Sequence, residues 1–596
     1  MKKRGLAAIL ACVLLAGCGA NRTEPLTEEP TAEGAVIAYV PLDDRPDNEE
    51  RVVYLAESLG YILEMPERDD YRTRLNDQPL NENGTQYGDR AALYEWVLAQ
   101  EEAGCDRYIL SMDQILSGGL VNSRAMTAHE DITLSDGTVL TEYELQETLL
   151  TTLAADPDNR VWLLESVMRL APTVGYQHWT LEEYNALRAY GMEGRPVLGE
   201  DELGLERVLK LYGKNKEGGD LAAADFGLTG EEVAEYLSAR TRKLELSDWA
   251  ISFLHDDQVG AENFRVLIGI DDSSEEDSIQ KNEITYLRSL LREGDALLSG
   301  VDDLAFKAVA KLYLEENGWN GAAVSVQYFG GTEDQPACAY DYQPLTNIVK
   351  EHYDFFGLTM SEPSDAELQV LVLTQPADET KKADYYEALI DTLNDSREGG
   401  LPTILIDAGN GQYGTAFHEA LTEKTELGWL LSYSGFLDMA IVTGTALSHG
   451  VARYAFLQNG EKTEATERAF IRTVADSILK DFCYKHVVRN EILNYVRNDL
   501  NGNADNFWQP DIDRQAVMDR LESGMETAAA KVIENLERSN FISGVTSGEG
   551  YPERGWGGIK LDNYRFPWDR AFEIGLDIQL GKFTEPHETF LGIYYQ

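Results

Sequence analysis

Residues 36–46 read VIAYVPLDDRP, an apolar run that leads directly into two aspartates and an arginine. Such a short run, rich in β-branched and aromatic residues, predicts a buried β-strand. Similar runs alternate with helical patterns along the chain, which is typical of a parallel α/β architecture with flanking helices. The periodicity leaves open whether the first domain is barrel-like or doubly wound. The predicted strands are 36–40, 61–65, 107–111, 161–165, 264–270, 296–299, 322–328, 368–374 and 402–406.

The length of 596 residues favours several domains, and the 43% of hydrophobic residues is ample for their cores. We expect an α/β domain over residues 35–330, with a helical insertion at 181–258 where no strand pattern is found. A second α/β domain is expected over 331–460. Residues 461–596 are predicted to form a mostly helical C-terminal region with an aromatic, glycine-rich end.

The N-terminus has the pattern of an export signal. A basic start at residues 2–4 precedes an apolar run at 6–15, which is too short to span a bilayer. The sequence LAGC at 15–18 resembles the lipobox of bacterial lipoproteins. We therefore expect a signal peptide over 1–17, a lipid on Cys18, and a flexible tether over 18–34. This predicts a protein held by its lipid to the outer face of the bacterial cell membrane.

Charge and cysteine content exclude several classes of protein. The formal charge of −53 at pH 7 would repel nucleic acid, so no nucleic-acid partner is expected. Outside the predicted signal and lipid site, only Cys105, Cys338 and Cys483 remain, which gives no disulfide framework. None of the eight histidines is spaced as HxxxH or HExxH, and the chain lacks the pattern of a zinc hydrolase.

Charged residues gather where five of the predicted strands end. In parallel sheets and barrels, the carboxyl ends of the strands open onto one rim, where ligands bind. A single aspartate at such an end is best explained as a helix cap, but doublets exceed what one cap requires. We expect one shared cleft, with these residues at its rim: Asp43, Asp44, Arg45, Asp113, Arg169, Asp271, Asp272, Asp302 and Asp303.

Three separated segments carry a family resemblance. They are PLDDRP at 41–46, SMD at 111–113 with LSGGLVNSR at 116–124, and FPWDRAFE at 566–573. Together they resemble the hallmark segments of an uncharacterised bacterial family, domain of unknown function 4127, over about residues 36–590. The chain departs from the family pattern at 436–439, where FLDM replaces an Asn- and Gly-rich turn. The resemblance implies no particular activity.

Two further segments carry candidate binding residues. Gly118 and Gly119 could let the backbone approach a ligand while Arg124 binds a carboxylate or hydroxyl pair; a tight turn with Arg124 in a structural salt bridge is the equal alternative. Trp568 and Arg570 could contact sugar faces or seal the domain.

The loop GNGQYG at 409–414 matches GxGxxG, but a plain glycine turn is favoured over a dinucleotide site. Asn410 of this loop is a candidate cleft residue.

The favoured function is a surface hydrolase acting on a carbohydrate or glycopeptide through two carboxyl groups. Asp44 and Asp272 are the first candidates, with Asp113 and Asp302 next. The substrate would be oriented by Asp43, Arg45, Gly118, Gly119, Arg124, Arg169, Asn410, Trp568 and Arg570.

Two alternatives stay open at this point. A divalent cation held by Asp43, Asp44 and Asp271 is a variant of the hydrolase, in which no cofactor is otherwise expected. A non-catalytic lipoprotein that binds a solute or glycan is the other function.

Overall fold

The computed structural model describes residues 34–75, 78–173, 180–256, 259–274, 277–436, 438–542, 553–556 and 558–584. The predicted signal peptide, the lipid site and nearly all of the tether lie outside the described residues. All nine predicted strands are present, with ends that differ by at most two residues.

The strands, in chain order, are β1 (Ala35–Val40), β2 (Tyr61–Glu64), β3 (Arg107–Ser111), β4 (Ile132–Thr133), β5 (Val139–Leu140), β6 (Arg160–Val167), β7 (Phe264–Ile270), β8 (Ala296–Ser299), β9 (Ala322–Phe329), β10 (Leu358–Met360), β11 (Leu368–Leu373), β12 (Thr403–Asp407), β13 (Leu430–Gly435), β14 (Phe541–Ile542), β15 (Glu553–Trp556), β16 (Ile559–Arg565), β17 (Gly575–Leu580) and β18 (Phe583–Thr584).

The α-helices are α1 (Glu50–Ser58), α2 (Arg68–Tyr71), α3 (Arg90–Ala103), α4 (Met112–Ser117), α5 (Leu120–Ser123), α6 (Glu142–Ala154), α7 (Leu181–Met192), α8 (Leu205–Leu211), α9 (Gly230–Leu254), α10 (Ile279–Leu290), α11 (Leu304–Glu316), α12 (Leu345–Phe356), α13 (Lys382–Gly399), α14 (Gly414–Lys424), α15 (Met439–Asn459), α16 (Glu464–Ile478), α17 (Arg489–Asn494) and α18 (Arg514–Arg538). Two π-helical segments, Leu479–Val488 and Tyr495–Asp499, flank α17.

Two parallel sheets form the framework. The first has the strand order β2-β1-β3-β6-β7-β8 and the second β10-β9-β11-β12-β13. Every neighbouring pair in both sheets is parallel. Both sheets are open and reverse their strand order beside the first strand, as doubly wound folds do. The α/β prediction is confirmed, and the open sheet settles the choice against a barrel.

The last strand of the first sheet is β8, and the next strand in the chain, β9, belongs to the second sheet. The division between the sheets therefore lies before residue 330, where the sequence suggested a domain boundary. Strand β13, which the sequence did not predict, closes the far edge of the second sheet. Its sequence LLSYSG places serines at two positions and glycine at its end, so it lacks a continuous apolar run.

A shared layer of helices joins the two sheets. Helix α11 packs against α15 and α1, and α1 packs against α16. One apolar core runs from Ile37 and Ile109 in the first sheet through this layer to Val370 and Ile404 in the second. Burial of that continuous apolar surface holds the two sheets together as one packed body.

The remaining segments cover the framework. Helices α7, α8 and α9 form the predicted insertion and pack against the first sheet with a second core. Helices α16 to α18 confirm the helical C-terminal region, and short antiparallel strands follow. Among the described helices, none is both long enough and apolar enough to cross a membrane.

Gly444 decides how closely α15 approaches α11. A Cβ at this position would lie 1.7 Å from Oδ2 of Asp303, whose carboxylate pairs with Lys307 in a fully buried salt bridge at 2.9 Å. We expect Gly444→Ala to lower the free energy of unfolding by roughly 1 to 3 kcal/mol, because a close-packed interface must open. Urea unfolding of the full-length protein measures the change.

Gly399→Ala is the matched control. Gly399 lies in the last turn of α13, and among the described residues no atom beyond its chain neighbours and the backbone of its own helix lies within 4 Å of the place a Cβ would occupy. This substitution should be neutral or mildly stabilising, by up to about 1 kcal/mol. Equal losses in both variants would show that close packing at Gly444 is not what matters.

Candidate active site

The turns that follow the strands of the first sheet meet at its carboxyl edge, as the sequence predicts. The Arg45 guanidinium links two of them: its Nε donates to both oxygens of Asp43 at 2.9 Å, and Nη2 and Nη1 donate to Asp302 at 2.6 and 3.0 Å. Asp302 follows β8, which forms one edge of the sheet. Strand β2 forms the other edge, and β1 lies beside it. Arg45 therefore ties the turn after β1 to the turn after β8.

Two more arginines neutralise the aspartate doublet after β7. Arg124 forms a buried ion pair with Asp271 and also donates to the Thr173 hydroxyl at 3.1 Å. Arg169, which follows β6, pairs with Asp272. Of the two readings that the sequence left open for Arg124, the structure shows the structural salt bridge.

A cleft opens beside these ion pairs, between the first sheet and the start of α15. Its cavity volume is about 30 Å³, which is room for about one water molecule, so a larger ligand would have to lie across its mouth. Two of its carboxylates remain accessible, since the side chains of Asp272 and Asp302 are 27% and 30% exposed. We call this site the acidic cleft; its polar lining consists of Asp271, Asp272, Ser299, Asp302, Tyr340, Asp341, Tyr342 and Asp438.

Helix α15 presents its N-terminus to the acidic cleft, and an aspartate from another loop caps it. Asp341 accepts hydrogen bonds from the backbone N–H groups of Met439 and Ala440 at 3.3 and 3.1 Å. Asp438 occupies the N-cap position itself, yet its side chain makes no capping bond. The carboxyl group of Asp438 is therefore left to face the cleft.

The environment of Asp438 favours its protonated form. Burial raises the pKa of Asp438 to about 8, and the negative charges of Asp272, Asp341 and Asp302 add to this rise. Arg169 opposes it only weakly. Asp272, by contrast, has Arg169 as a direct partner. The two carboxyl groups thus have different surroundings within one cleft, and enzymes use such differences to separate an acid from a base.

Asp44, the first sequence candidate, lies outside the acidic cleft. It is 3% exposed, and its Oδ1 accepts hydrogen bonds from Trp568 Nε1 at 2.9 Å and from the Thr73 N–H at 3.2 Å. Burial raises the pKa of Asp44, against the opposing charge of Arg68. Asp44 anchors the C-terminal segment, and it has no open approach for a substrate.

Trp568 seals the domain. It is 8% exposed, packs against Leu75 and Val121, and lies beneath the Arg45 guanidinium, 5.1 Å from the ring centroid. Because its ring faces are covered, it is the plug that the sequence offered as the alternative to a sugar platform. Arg570 is also buried; burial lowers the pKa of its guanidinium, and the charge of Asp505 opposes that shift.

Asp113 belongs to a buried ion cluster below the sheet edge. Its carboxylate contacts Lys243 Nζ at 2.6 Å and accepts a hydrogen bond from Ser166 at 2.6 Å. Lys243 also binds Glu165 at 2.9 Å. The cluster joins α9 of the helical insertion to the first sheet, and Asp113 is 2% exposed. A role in holding the insertion fits this position better than contact with substrate.

The glycine pair after α4 ends that helix. Gly118 and Gly119 have φ values of 77° and 122°, which L side chains rarely adopt. Their N–H groups donate to the carbonyls of Gln114 and Asp113 at 2.8 and 3.1 Å. Both donors are therefore used by the helix end.

Asn410 lies exposed in the turn between β12 and α14, in the second sheet. It does not line the acidic cleft. The GxGxxG loop that contains it connects a strand to a helix, as expected from the sequence.

The three aspartates that the sequence suggested as ligands of a divalent cation, Asp43, Asp44 and Asp271, do not form a cation site in the described part of the chain. Asp43 pairs with Arg45, and Asp271 with Arg124. Among the described residues, the group of three acidic or histidine side chains close enough to share an ion is Asp407, His418 and His486 in the second sheet.

Sequence reasoning did not find Tyr340, Asp341 or Asp438, which complete the acidic cleft. The first two lie in the loop after β9, and Asp438 lies in the FLDM segment that departs from the family pattern. That departure was the one available signal, since a charged residue before an apolar helix otherwise looks like a cap.

The fold and cleft define a class: an α/β protein of two open parallel sheets whose shared cleft is lined by aspartates. Residues 37–577 match the model of the family described as "Protein of unknown function (DUF4127)". The chain belongs to this family, as its three hallmark segments indicated. The searches of curated proteins and of solved structures each found no match.

We predict that the Asp438→Asn protein has a higher free energy of unfolding than the native protein, by an amount that grows as the pH rises. An unfolded aspartate has a pKa near 3.9, so between pH ~4 and ~8 the folded chain binds more protons at this site and loses stability with rising pH. Asparagine removes that penalty. The gain should be near zero at pH 4 and on the order of 5 kcal/mol at pH 9, measured by urea unfolding.

Asp391→Asn, on the exposed face of α13, is the control and should change stability little at either pH. A constant difference between Asp438→Asn and the native protein from pH 4 to pH 9 would contradict the assigned protonation state.

Proposed function

We propose that this protein is a carbohydrate-active hydrolase that cleaves a glycosidic bond in the acidic cleft. The observation that carries the proposal is that two carboxyl groups lining this cleft have different surroundings. Asp438 is held protonated at neutral pH, while Asp272 forms an ion pair and stays partly exposed. Glycoside hydrolysis requires one carboxylic acid and one carboxylate on either side of the bond.

In this mechanism Asp438 is the general acid. Its proton would pass to the oxygen of the leaving sugar as the bond breaks. As that bond breaks, Asp272 would either take a proton from a water that attacks the sugar carbon, or attack that carbon itself. In the second case, water activated by the deprotonated Asp438 would hydrolyse the resulting glycosyl ester and free Asp272. Arg169 orients the Asp272 carboxylate and also donates to the Tyr184 hydroxyl at 3.2 Å, which fixes the guanidinium in place. The sequence candidate Asp272 is kept, and Asp438 takes the place of Asp44.

Other lining groups suit a sugar. Asp302 is held by two hydrogen bonds from Arg45, and its exposed edge can accept hydrogen bonds from hydroxyl groups. Tyr340 is 40% exposed; Arg188 lies over one face of its ring, 4.9 Å from the centroid, and a sugar would stack on the opposite face. Dense carboxylates would repel phosphorylated or otherwise anionic ligands, so neutral or cationic glycans fit the cleft best.

The place of action follows from the N-terminal pattern. Removal of a signal over 1–17 and attachment of lipid to Cys18 would hold the protein on the outer face of the cell membrane, where cell-wall and host glycans are found. Residues 18–34 would supply the tether.

The activity test screens the full-length protein, in detergent, against cell-wall and host glycans, following released sugar and thermal shift together. We expect Asp438→Asn and Asp272→Asn each to lower kcat by about 10²- to 10⁴-fold. Activity should fall as the pH rises through about 8, because Asp438 must carry a proton.

Asp391→Asn is the control and should keep full activity. Product release that survives in both cleft variants would overturn the assignment of the acid and the carboxylate. A thermal shift without any product would instead favour the second function, a glycan- or solute-binding lipoprotein, for which the partly exposed Tyr340 and Asp302 are suited.

The anchor is tested by Cys18→Ser, with Cys12→Ser in the predicted apolar segment as its match. We expect the native protein and Cys12→Ser to incorporate a labelled fatty acid and to sediment with membranes. Cys18→Ser should lose the label, since no thiol remains to carry the lipid. Equal labelling of Cys18→Ser and the native protein would contradict the lipid site.

A further inference from the structure

Three side chains that the acidic cleft does not use meet at the carboxyl end of the second sheet. Asp407, His418 and His486 are all buried, and one oxygen or ring nitrogen from each lies within 4.8 Å of the others. Outside this group, His129 and His255 each contact a carboxylate, Glu142 and Asp295 respectively. The convergence of two histidines and one aspartate is therefore a separate feature of the fold.

Three different elements bring these side chains together. Asp407 is the last residue of β12, and its Oδ1 accepts a hydrogen bond from the Gly409 N–H at 3.0 Å. His418 lies on α14, and His486 lies in the π-helical segment Leu479–Val488. Short π-helical stretches within helices are rare and are frequent at functional sites, because the extra residue re-aims side chains.

The donor atoms of this group are incompletely satisfied. His418 Nε2 lies 3.5 Å from Asp407 Oδ2, and the two imidazole centroids are 4.0 Å apart. The Nε2 atom of His486 is buried and has no hydrogen-bond partner among the described residues. An unpaired buried nitrogen costs about 1 to 3 kcal/mol, which a bound ion would offset.

The two imidazole rings lie edge to face in a tightly packed interior, with their centroids 4.0 Å apart. Two charged imidazoles could not lie 4.0 Å apart in this interior without strong repulsion. Metal binding requires histidine in its neutral form.

We propose that Asp407, His418 and His486 bind one divalent transition-metal ion. Two imidazole nitrogens and one carboxylate oxygen are the ligands typical of catalytic zinc and of non-haem iron(II), whereas calcium and magnesium prefer oxygen alone. For zinc, the donor atoms would draw together to about 3.3 Å from one another, as tetrahedral bonds of about 2.0 Å require. Three protein ligands leave a fourth position open.

The surroundings fit such an ion. The Tyr433 hydroxyl lies 3.5 Å from His418 Nε2, and the site has Gly411 on its outer side. A Cβ on Gly411 would meet the Phe436 ring at 3.0 Å and the His486 ring at 3.7 Å. Groups just outside a metal's ligands commonly orient those ligands. The glycine loop at 409–414 thus closes over His486 because Gly411 has no side chain.

The test measures metal content. The full-length protein is incubated with Zn²⁺ or with Co²⁺, freed of unbound ion, and its metal is quantified by elemental analysis. We expect about one equivalent per chain and a Zn²⁺-dependent rise in Tm. His486→Gln, His418→Gln and Asp407→Asn should each reduce the bound metal by about tenfold or more, as loss of a ligand does.

His449→Gln is the matched control, because His449 is also buried with an unpaired Nε2 among the described residues but lies outside the group. It should bind metal like the native protein. A native protein that takes up far less than one equivalent of either ion, or a His486→Gln protein that binds as much as the native one, would overturn the proposal. The metal-content test does not measure glycan release, so its result does not depend on whether the hydrolase proposed for the acidic cleft is correct.

Discussion

Neutralisation of the aspartates at the carboxyl edge of the first sheet is the constraint on which the site depends. The turns that follow parallel strands all lie at one rim of the sheet. The fold therefore places the aspartates of these turns close together although their negative charges repel one another. Arg45, Arg124 and Arg169 offset this repulsion by pairing with Asp302, Asp271 and Asp272. A buried carboxylate without such a partner would cost several kcal/mol, or would take up a proton.

That pairing divides the acidic residues into different roles. Asp44 and Asp113 are fully enclosed by donors from distant segments and hold the C-terminal region and the insertion in place. Asp272 and Asp302 keep an arginine on one side and solvent on the other. Within the part of the chain that the structure describes, no cation pairs directly with Asp438, and burial raises its pKa to about 8. The chemistry proposed for the cleft rests on these differences in surroundings, since the side chains are chemically identical.

The second sheet contributes to both proposed sites. Strand β13 leads into Asp438 and α15, and its neighbour β12 ends at Asp407. The helical layer between the sheets sets the position of α15, where Gly444 allows close contact with the buried Asp303–Lys307 pair. Packing between the sheets therefore determines the geometry of the acidic cleft, and the metal group lies on an adjacent strand end.

The sequence by itself determined the class of fold, nine of the strands, the family and the rim on which charged residues gather, because apolar periodicity and the alternation of strands with helices can be recognised in short stretches of the chain. It could not determine which carboxylate stays unpaired. Trp568 reaches Asp44 across 524 residues, and His418 meets His486 across 68. Only the tertiary structure decided these partners, since charge and burial depend on segments that are distant in the chain and adjacent in space.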